Sequence, residues 1–312
     1  MKPIDVLTSG YVSMDRIIKI GSPARVGFTS LVTNKSNARI FYGGCSVNIS
    51  AALSKLGLTS LPVLRVGGDW EENGFRAFLE EGGVSLEGIT VLPEEATSVC
   101  YLLQDNNNDH ITVFYPGAMD GKYASPMKEE LFADTRLGVI TVAPREDNRE
   151  FFQKCREHKV PVVFGMKDDF DAFPEDFLRE LLTGSRIIFT NEVEREIIEK
   201  LYGFSEITEL FSLGEAEVIV TTLGKDGSIC YVREGDRIRQ ERIGICPVEQ
   251  VVDATGSGDA YMSGFLYGYL KGYEPADCCR LGGALSSFVI QAEGCCTNLP
   301  TEEELLEKFK TC

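Results

Sequence analysis

The stretch Val251-Val252-Asp253-Ala254-Thr255-Gly256-Ser257-Gly258-Asp259-Ala260-Tyr261 holds the chain's most suggestive chemistry. Extended residues run into a turn with two glycines. Apolar residues then recur at helical spacing, with Phe265, Leu266, Tyr269 and Leu270 continuing the stripe of Tyr261 and Met262. Gly256 and Gly258 permit positive φ and close approach of a ligand to the backbone. The first N–H groups of a helix have no partner inside it, and the helix dipole adds positive character there. The amides of Gly256, Ser257 and Gly258 are therefore read as an anion hole. Asp259 stands beside them in the first helical turn. A carboxylate next to a phosphate site suits a general base that takes a proton from an attacking hydroxyl. The competing role is that of an ordinary first-turn helix acid.

A second glycine turn is Tyr42-Gly43-Gly44-Cys45-Ser46-Val47-Asn48, followed by Ile49, Ala52, Leu53 and Leu56 on one helical face. Paired glycines before a helix let a polyol come close, and Asn48 offers both a donor and an acceptor. Many such pairs are only turns. Other phosphate and nucleophile motifs fail. Tyr261 stands where G-x-G-x-x-G needs its third glycine, Asp226 follows Gly224-Lys225 where a P-loop needs Ser or Thr, and Thr255 replaces the first glycine of G-x-S-x-G. The chain has two histidines, His110 and His158, both read as exposed, so histidine-based catalysis has little material.

Around these turns, short apolar runs alternate with amphipathic stretches. Strands are expected over residues 6–9, 62–66, 139–143, 161–164, 187–190, 218–221 and 228–232. Helices are expected over 48–55, 71–81, 149–158, 175–182, 192–201, 260–270 and 276–290. This alternation predicts an α/β fold around a largely parallel sheet. Two regions break it. Residues 14–42 read as extended, and residues 97–115 read as a hairpin in which 99–103 and 111–115 flank Asp105-Asn106-Asn107-Asn108-Asp109. They would form either a small second sheet or edge strands of the main one.

Composition narrows the partners. With 31 Lys and Arg against 48 Asp and Glu among 312 residues, the formal charge is −17. No nucleic-acid partner is expected, because such affinity comes from basic side chains neutralising phosphates. No apolar run reaches the ~18 residues of a membrane span. The start Met1-Lys2-Pro3-Ile4-Asp5 lacks the apolar stretch of a signal peptide, so a cytoplasmic location is expected. Cys278-Cys279 and Cys295-Cys296 are adjacent and lack neighbouring histidines, so the ten cysteines read as reduced, mostly buried thiols and not as a zinc site.

Taken together, the two turns resemble those of the ribokinase-like (PfkB) family of sugar and nucleoside kinases, and the resemblance covers nearly the whole chain. Asp253-Ala254-Thr255-Gly256-Ser257-Gly258-Asp259 is similar to the family's D-T-x-G-A-G-D signature, departing at Ala254 and Ser257. Gly43-Gly44 with Asn48 resembles its sugar-contacting turn. Gly10-Tyr11-Val12-Ser13-Met14-Asp15 resembles a first strand whose aspartate binds substrate hydroxyls. Asn191-Glu192-Val193-Glu194 is similar to its N-x-x-E element, and Thr221-Thr222-Leu223-Gly224-Lys225-Asp226-Gly227 to the strand-turn bordering the nucleotide.

The resemblance implies a three-layer fold, with residues 1–13, 43–96 and 119–312 as the body and 14–42 and 97–118 as a discontinuous β lid that closes over the substrate. It implies that Asp259 deprotonates a substrate CH2–OH, which attacks the γ-phosphate of ATP. It also implies nucleotide contacts by Asn191, Thr222, Gly224 and Gly227, Mg2+ held by Glu194 through water, and a monovalent cation such as K+ by Asp253 near Gly294. The segments 104–119 and 293–300 look like the nucleoside-kinase branch, which points to a nucleoside 5′-hydroxyl. A free sugar such as ribose or fructose is the alternative. A phosphosugar is disfavoured because the lid carries no arginine cluster. Gly165-Met166-Lys167-Asp168 departs from the Asp-Pro turn of relatives. A non-catalytic sensor would be favoured by loss of Asp259, and a nicotinamide oxidoreductase needs an early glycine fingerprint of which only Gly10 is present. Lid sheets in this family often pair, so a homodimer through the lid is implied.

Overall fold

In the computed structural model the described residues are 3–106 and 110–312, with the His110 side chain outside the description. The expected turn residues Asn107-Asn108-Asp109, and the expected exposure of His110, thus lie outside the described residues. Strand β1 (Ile4–Ser9) leads to β2 (Ser13–Lys19), β3 (Phe41–Gly43), helix α1 (Cys45–Lys55), β4 (Ser60–Gly67), α2 (Phe75–Glu81) and β5 (Ile89–Leu92). Then come β6 (Val99–Gln104), β7 (His110–Tyr115), α3 (Glu130–Ala133), β8 (Thr135–Ile140), α4 (Arg145–Glu157), β9 (Val162–Gly165) and α5 (Glu175–Gly184). The chain continues through β10 (Ile187–Asn191), α6 (Glu192–Tyr202), β11 (Val218–Thr222), β12 (Ser228–Glu234) and β13 (Arg237–Ile243). It ends in α7 (Ser257–Lys271), α8 (Pro275–Val289) and α9 (Glu302–Phe309).

The period-two alternation of strand residues sorts the core into two layers. Val6, Val139, Val163, Ile187 and Val218 face α1, α7, α8 and α9, while their neighbours Leu7, Ile140, Phe164, Ile188 and Ile219 face α3, α4, α5 and α6. Strands buried on both faces read as continuous apolar runs, as parallel sheets between helices do. The described residues form a nine-stranded sheet in the order β13-β12-β11-β10-β9-β8-β1-β4-β5. It is parallel except for the antiparallel edge of β12 and β13. This is a three-layer α/β fold.

The two irregular regions form a separate sheet in the order β3-β2-β6-β7, with β2 and β6 parallel and the other pairs antiparallel. They are not edge strands of the main sheet. The 14–42 stretch is less extended than its sequence suggests: between β2 and β3 it holds an isolated Ile20–Val32 bridge and a short 3-10 turn, Lys35–Ala38.

Cysteine chemistry differs from expectation at one pair. Cys246 and Cys312 are joined in a disulfide, their Cα atoms 4.7 Å apart, although 66 residues separate them. The loop after β13 and the end of α9 meet only in the folded chain, so sequence spacing carries no trace of the pair. The other eight cysteines are free thiols, six of them buried. His158 is also less open than expected, half-buried against Glu129 at 2.7 Å and far from the glycine turns.

One ion pair ties the second sheet's exit to the body. Arg65 on β4 meets Asp147 on α4 through Nη1–Oδ1 at 2.6 Å and Nη2–Oδ2 at 2.8 Å, and both residues are buried. The Arg65 Nε also donates to the Ala118 carbonyl at 2.8 Å, just after β7. Removing one partner of such a pair strands a buried charge. Asp147→Ala is expected to cost about 3–5 kcal/mol. The double change Arg65→Met with Asp147→Leu should recover most of that loss, as read from denaturant midpoints.

Candidate functional site

Ligands of open α/β sheets bind beyond the carboxyl ends of the parallel strands. There the protein has a cavity of about 340 Å³. Lys167 enters it just past β9, Asn191 and Thr222 from the ends of β10 and β11, and Glu194 from the first turn of α6. Ser257, Gly258 and Asp259 close it from α7.

The start of α7 is set by its glycines. Gly256 is the N-cap with φ 76°, and a Cβ there would lie 2.7 Å from the Cys295 Sγ, so both backbone and space demand glycine. Gly258 has nothing within 4 Å of where a Cβ would stand, which leaves that face open to a ligand. The amides do not divide as expected. The Ser257 N–H donates to the Ala254 carbonyl at 3.2 Å, and the Ala260 N–H to the Gly256 carbonyl at 2.9 Å. Among the described residues the N–H groups of Gly256, Gly258 and Asp259 have no hydrogen-bond acceptor. The Ser257 amide is thus engaged in a turn, and the Asp259 amide joins the free set.

The N-terminal turn meets this one directly. Gly44 caps α1 with φ 92°, and a Cβ there would strike the Tyr11 carbonyl oxygen at 2.1 Å. One turn later Asn48, 7% exposed, donates from Nδ2 to the Asp259 Oδ2 at 2.8 Å across 211 residues of sequence. A Cβ on Gly43 would lie 2.8 Å from the Asp15 Oδ2 and 3.4 Å from the Asn48 Oδ1. Asp15, Gly43, Asn48 and Asp259 therefore share one spot, with Asp259 facing both this group and the cavity. Burial pushes the Asp15 carboxyl up to about 6; the Ser13 hydroxyl that donates to it opposes the rise and the Asp253 charge adds to it. Two thiols also sit here that the sequence did not single out. Cys296 lies 3.4 Å from the Asn48 Oδ1, and Cys45 stands beside the Asp259 carboxylate, burial and that charge pushing its thiol up.

The N-x-x-E element proves to be a helix capping box. The Asn191 Oδ1 accepts from the Glu194 N–H at 2.9 Å, and the Glu194 Oε2 accepts from the Asn191 N–H at 2.7 Å. Burial raises the Glu194 carboxyl, against the Asn191 amide and the Lys167 charge. Gly224, with φ 55°, lines the cavity, whereas Gly227 does not: with φ 85° it turns the chain against the Ile243 carbonyl. Asp253 lies outside this cavity and braces a turn, its Oδ1 accepting from the Thr255 N–H at 2.9 Å and its Oδ2 from the Gly294 N–H at 3.1 Å. Among the described residues no cluster of three or more His, Cys, Asp or Glu suits a metal ion, and no helix is long and apolar enough to cross a membrane.

The whole arrangement has known counterparts. The family model of the pfkB family carbohydrate kinases matches residues 4–302. The nucleoside kinase of Methanocaldococcus jannaschii is 30% identical over 274 residues, covering 88% of this chain and 87% of that protein. That of Methanothermobacter thermautotrophicus is 28% identical over 98% of this chain and 95% of its own. The crystal structure of the M. jannaschii nucleoside kinase superposes with a TM-score of 0.88 at 27% identity over 99% of both chains. The Burkholderia thailandensis nucleoside kinase in complex with inosine superposes with a TM-score of 0.84 at 26% identity over 98% of both. The chain therefore belongs to the pfkB family of carbohydrate kinases and is an ATP-dependent sugar or nucleoside kinase.

Proposed function

We propose that the protein transfers the γ-phosphoryl group of ATP to the 5′-hydroxyl of a nucleoside. The observation that carries the mechanism is the place of Asp259: in the first turn of α7, beside unpartnered amides, with one oxygen held by Asn48. The similarity to archaeal and bacterial nucleoside kinases supports the nucleoside, as does the inosine complex of one of them.

In this reading Asp15, Gly43, Gly44 and Asn48 hold the ribose, and Asn48 leaves the Asp259 Oδ1 to face the 5′-hydroxyl. Asp259 takes the hydroxyl proton as the oxygen attacks the γ-phosphorus, and the bond to the β-phosphate oxygen breaks. The amides of Gly256, Gly258 and Asp259 stabilise the transferring group, with the Ser257 amide serving only if its turn opens. Thr222 and Gly224 border the nucleotide, with Gly227 shaping that turn from behind. Magnesium keeps most of its water and needs an anionic oxygen nearby. Glu194 fits, because Oε2 is spent on the capping box and no hydrogen bond to Oε1 exists among the described residues. Mg2+ bound there would neutralise phosphate charge. A K+ ion against Asp253 belongs to the same reading, although both of that residue's oxygens already accept amides. Residues 14–42 and 97–118 act as a lid over the body, and the enzyme works in the cytoplasm.

Second copies of the chain fit the lid's outer face. Val113 pairs with Tyr101 and Ile111 with Leu103 across β6 and β7, so Tyr101, Ile111, Val113 and Tyr115 share one face. These four are 38–53% exposed, forming an apolar strip on a small sheet. A homodimer through the lid would cover it. Val113→Glu is expected to convert a dimer to a monomer in light scattering; a wild type already monomeric at micromolar concentration would refute the pairing.

Three kinetic outcomes are expected. Asp259→Asn should keep nucleoside binding while turnover falls about 10²–10⁴-fold; a residual rate above a tenth of wild type would remove it as the base. Assaying wild type with adenosine, guanosine, inosine, cytidine, ribose and fructose should give nucleosides the higher kcat/KM, and a preference for a free sugar would reassign the substrate. A proton on Asp15 removes its charge and turns one acceptor oxygen into a donor. Because its carboxyl titrates at about 6, nucleoside KM should rise as pH falls below that value and stay flat above it. In Asp15→Asn this pH dependence should vanish and nucleoside KM should be high throughout, with nucleotide KM little changed.

A further inference from the structure

The cavity has an imbalance of charge that the roles above do not resolve. Among the described residues that line it, Glu192, Glu194 and Asp259 are carboxylates and Lys167 is the one cation. A nucleoside triphosphate would add several negative charges to this space. The backbone amides of α7 contribute partial charges, and a hydrated metal ion held near Glu194 would contribute charge of its own. Lys167 remains, and it has no assigned role.

Its backbone is fixed where such a charge is useful. Lys167 follows the carboxyl end of β9, in the middle of the parallel sheet. The Met166 N–H donates to the Phe189 carbonyl at 3.1 Å, and the Lys167 carbonyl accepts from the Asp169 N–H at 2.9 Å, so both flanks are pinned. The side chain is open to solvent within the cleft. Among the described residues no carboxylate lies within 4.0 Å of its ammonium. The acids of two elements act on it at longer range, Asp259 of α7 and Glu194 of α6, with the Cys45 thiol of α1 beside them. Partial desolvation in the cleft would lower the Lys167 ammonium, but the neighbouring charges, Asp259 foremost and Glu194 with it, hold it above the ordinary lysine range. It is charged, near both the base and the cap of α6, and committed to neither. A lysine stem can swing a compact ammonium onto a phosphate oxygen.

We infer that Lys167 is a further catalytic residue of this chain, donating from its ammonium to the γ-phosphate of ATP during transfer. The inference rests on the nucleoside-kinase reading and assigns a cation to it. The ammonium keeps its protons throughout: the 5′-oxygen to phosphorus bond forms, the bond to the β-phosphate oxygen breaks, and the hydroxyl proton goes to Asp259. Lys167 neutralises charge that the polyanion brings into an acidic cleft, which suits a group aimed at the phosphoryl end and not at the adenine.

Wild-type turnover with inosine, ATP and Mg2+ is measured first, since its absence would count against the nucleoside-kinase reading and not against the role of Lys167. Lys167→Met and Lys167→Gln are then compared with Lys167→Arg. The two neutral variants should lose about 10²-fold in kcat, the size of one oxyanion donor. They should weaken ATP binding at least about tenfold more than ADP binding by calorimetry, as loss of one charge-assisted hydrogen bond to the γ-phosphate requires. Inosine affinity and melting temperature should stay near wild type, and Lys167→Arg should recover most of the ATP-over-ADP difference. Turnover of both neutral variants within threefold of wild type would overturn the inference. So would equal losses for ATP and ADP, which would mean that Lys167 only offsets the acids of the empty cleft.

Discussion

Two helix starts, 211 residues apart in sequence, are joined by one hydrogen bond from Asn48 to Asp259 at 2.8 Å. The bond is possible because α1 and α7 lie in one layer on one face of the sheet. There Ile49, Ala52 and Leu53 share a core with Phe265 and Leu266. Burial of those apolar faces sets the separation of the two helix starts, and the glycine caps set the path of the chain into each. The polar pair at the rim thus inherits its geometry from the apolar core beneath. A carboxylate held by an amide N–H on one oxygen is fixed in orientation, as a general base needs to be.

The same economy explains how so acidic a chain can hold a polyphosphate. Its formal charge is −17. Unpartnered amides supply positive character without a counterion and without a long side chain to immobilise. The structural requirement is severe: Gly256 has a positive φ, and a side chain there would overlap Cys295. Glycine at Gly44 answers a matching demand on the other side, where the chain touches the Tyr11 carbonyl. These two positions have geometric reasons for their residue type, independent of any ligand.

Much of this was legible in the sequence because the main sheet is buried on both faces and its strands are plain apolar runs. The turns around Gly43 and Gly256 were legible because glycine placement is a local property. What failed to show depended on distant contacts or on charged surfaces. Strand β13, Arg237-Ile238-Arg239-Gln240-Glu241-Arg242-Ile243, is an exposed edge whose charges hide its alternation. Helix α9 does carry a local signal, the capping box of Thr301 and Glu304 at its start. Helix α2 starts at Phe75 and not at Glu71, because Gly74 takes a left-handed cap. The Cys246–Cys312 pair, the engaged amide of Ser257 and the setting of Lys167 required the folded chain. Gly227 matched a motif yet serves a turn, which shows that a pattern can be matched residue by residue while only some positions face the cavity.

A crystal structure with bound inosine and a non-hydrolysable ATP analogue would test the central claim most directly. The account predicts the Asp259 Oδ1 within about 3 Å of the 5′-oxygen, with the terminal phosphate against the Gly258 and Asp259 amides. It would be contradicted by a 5′-oxygen beyond hydrogen-bond reach of Asp259 in the closed complex, or by a terminal phosphate lying away from the start of α7.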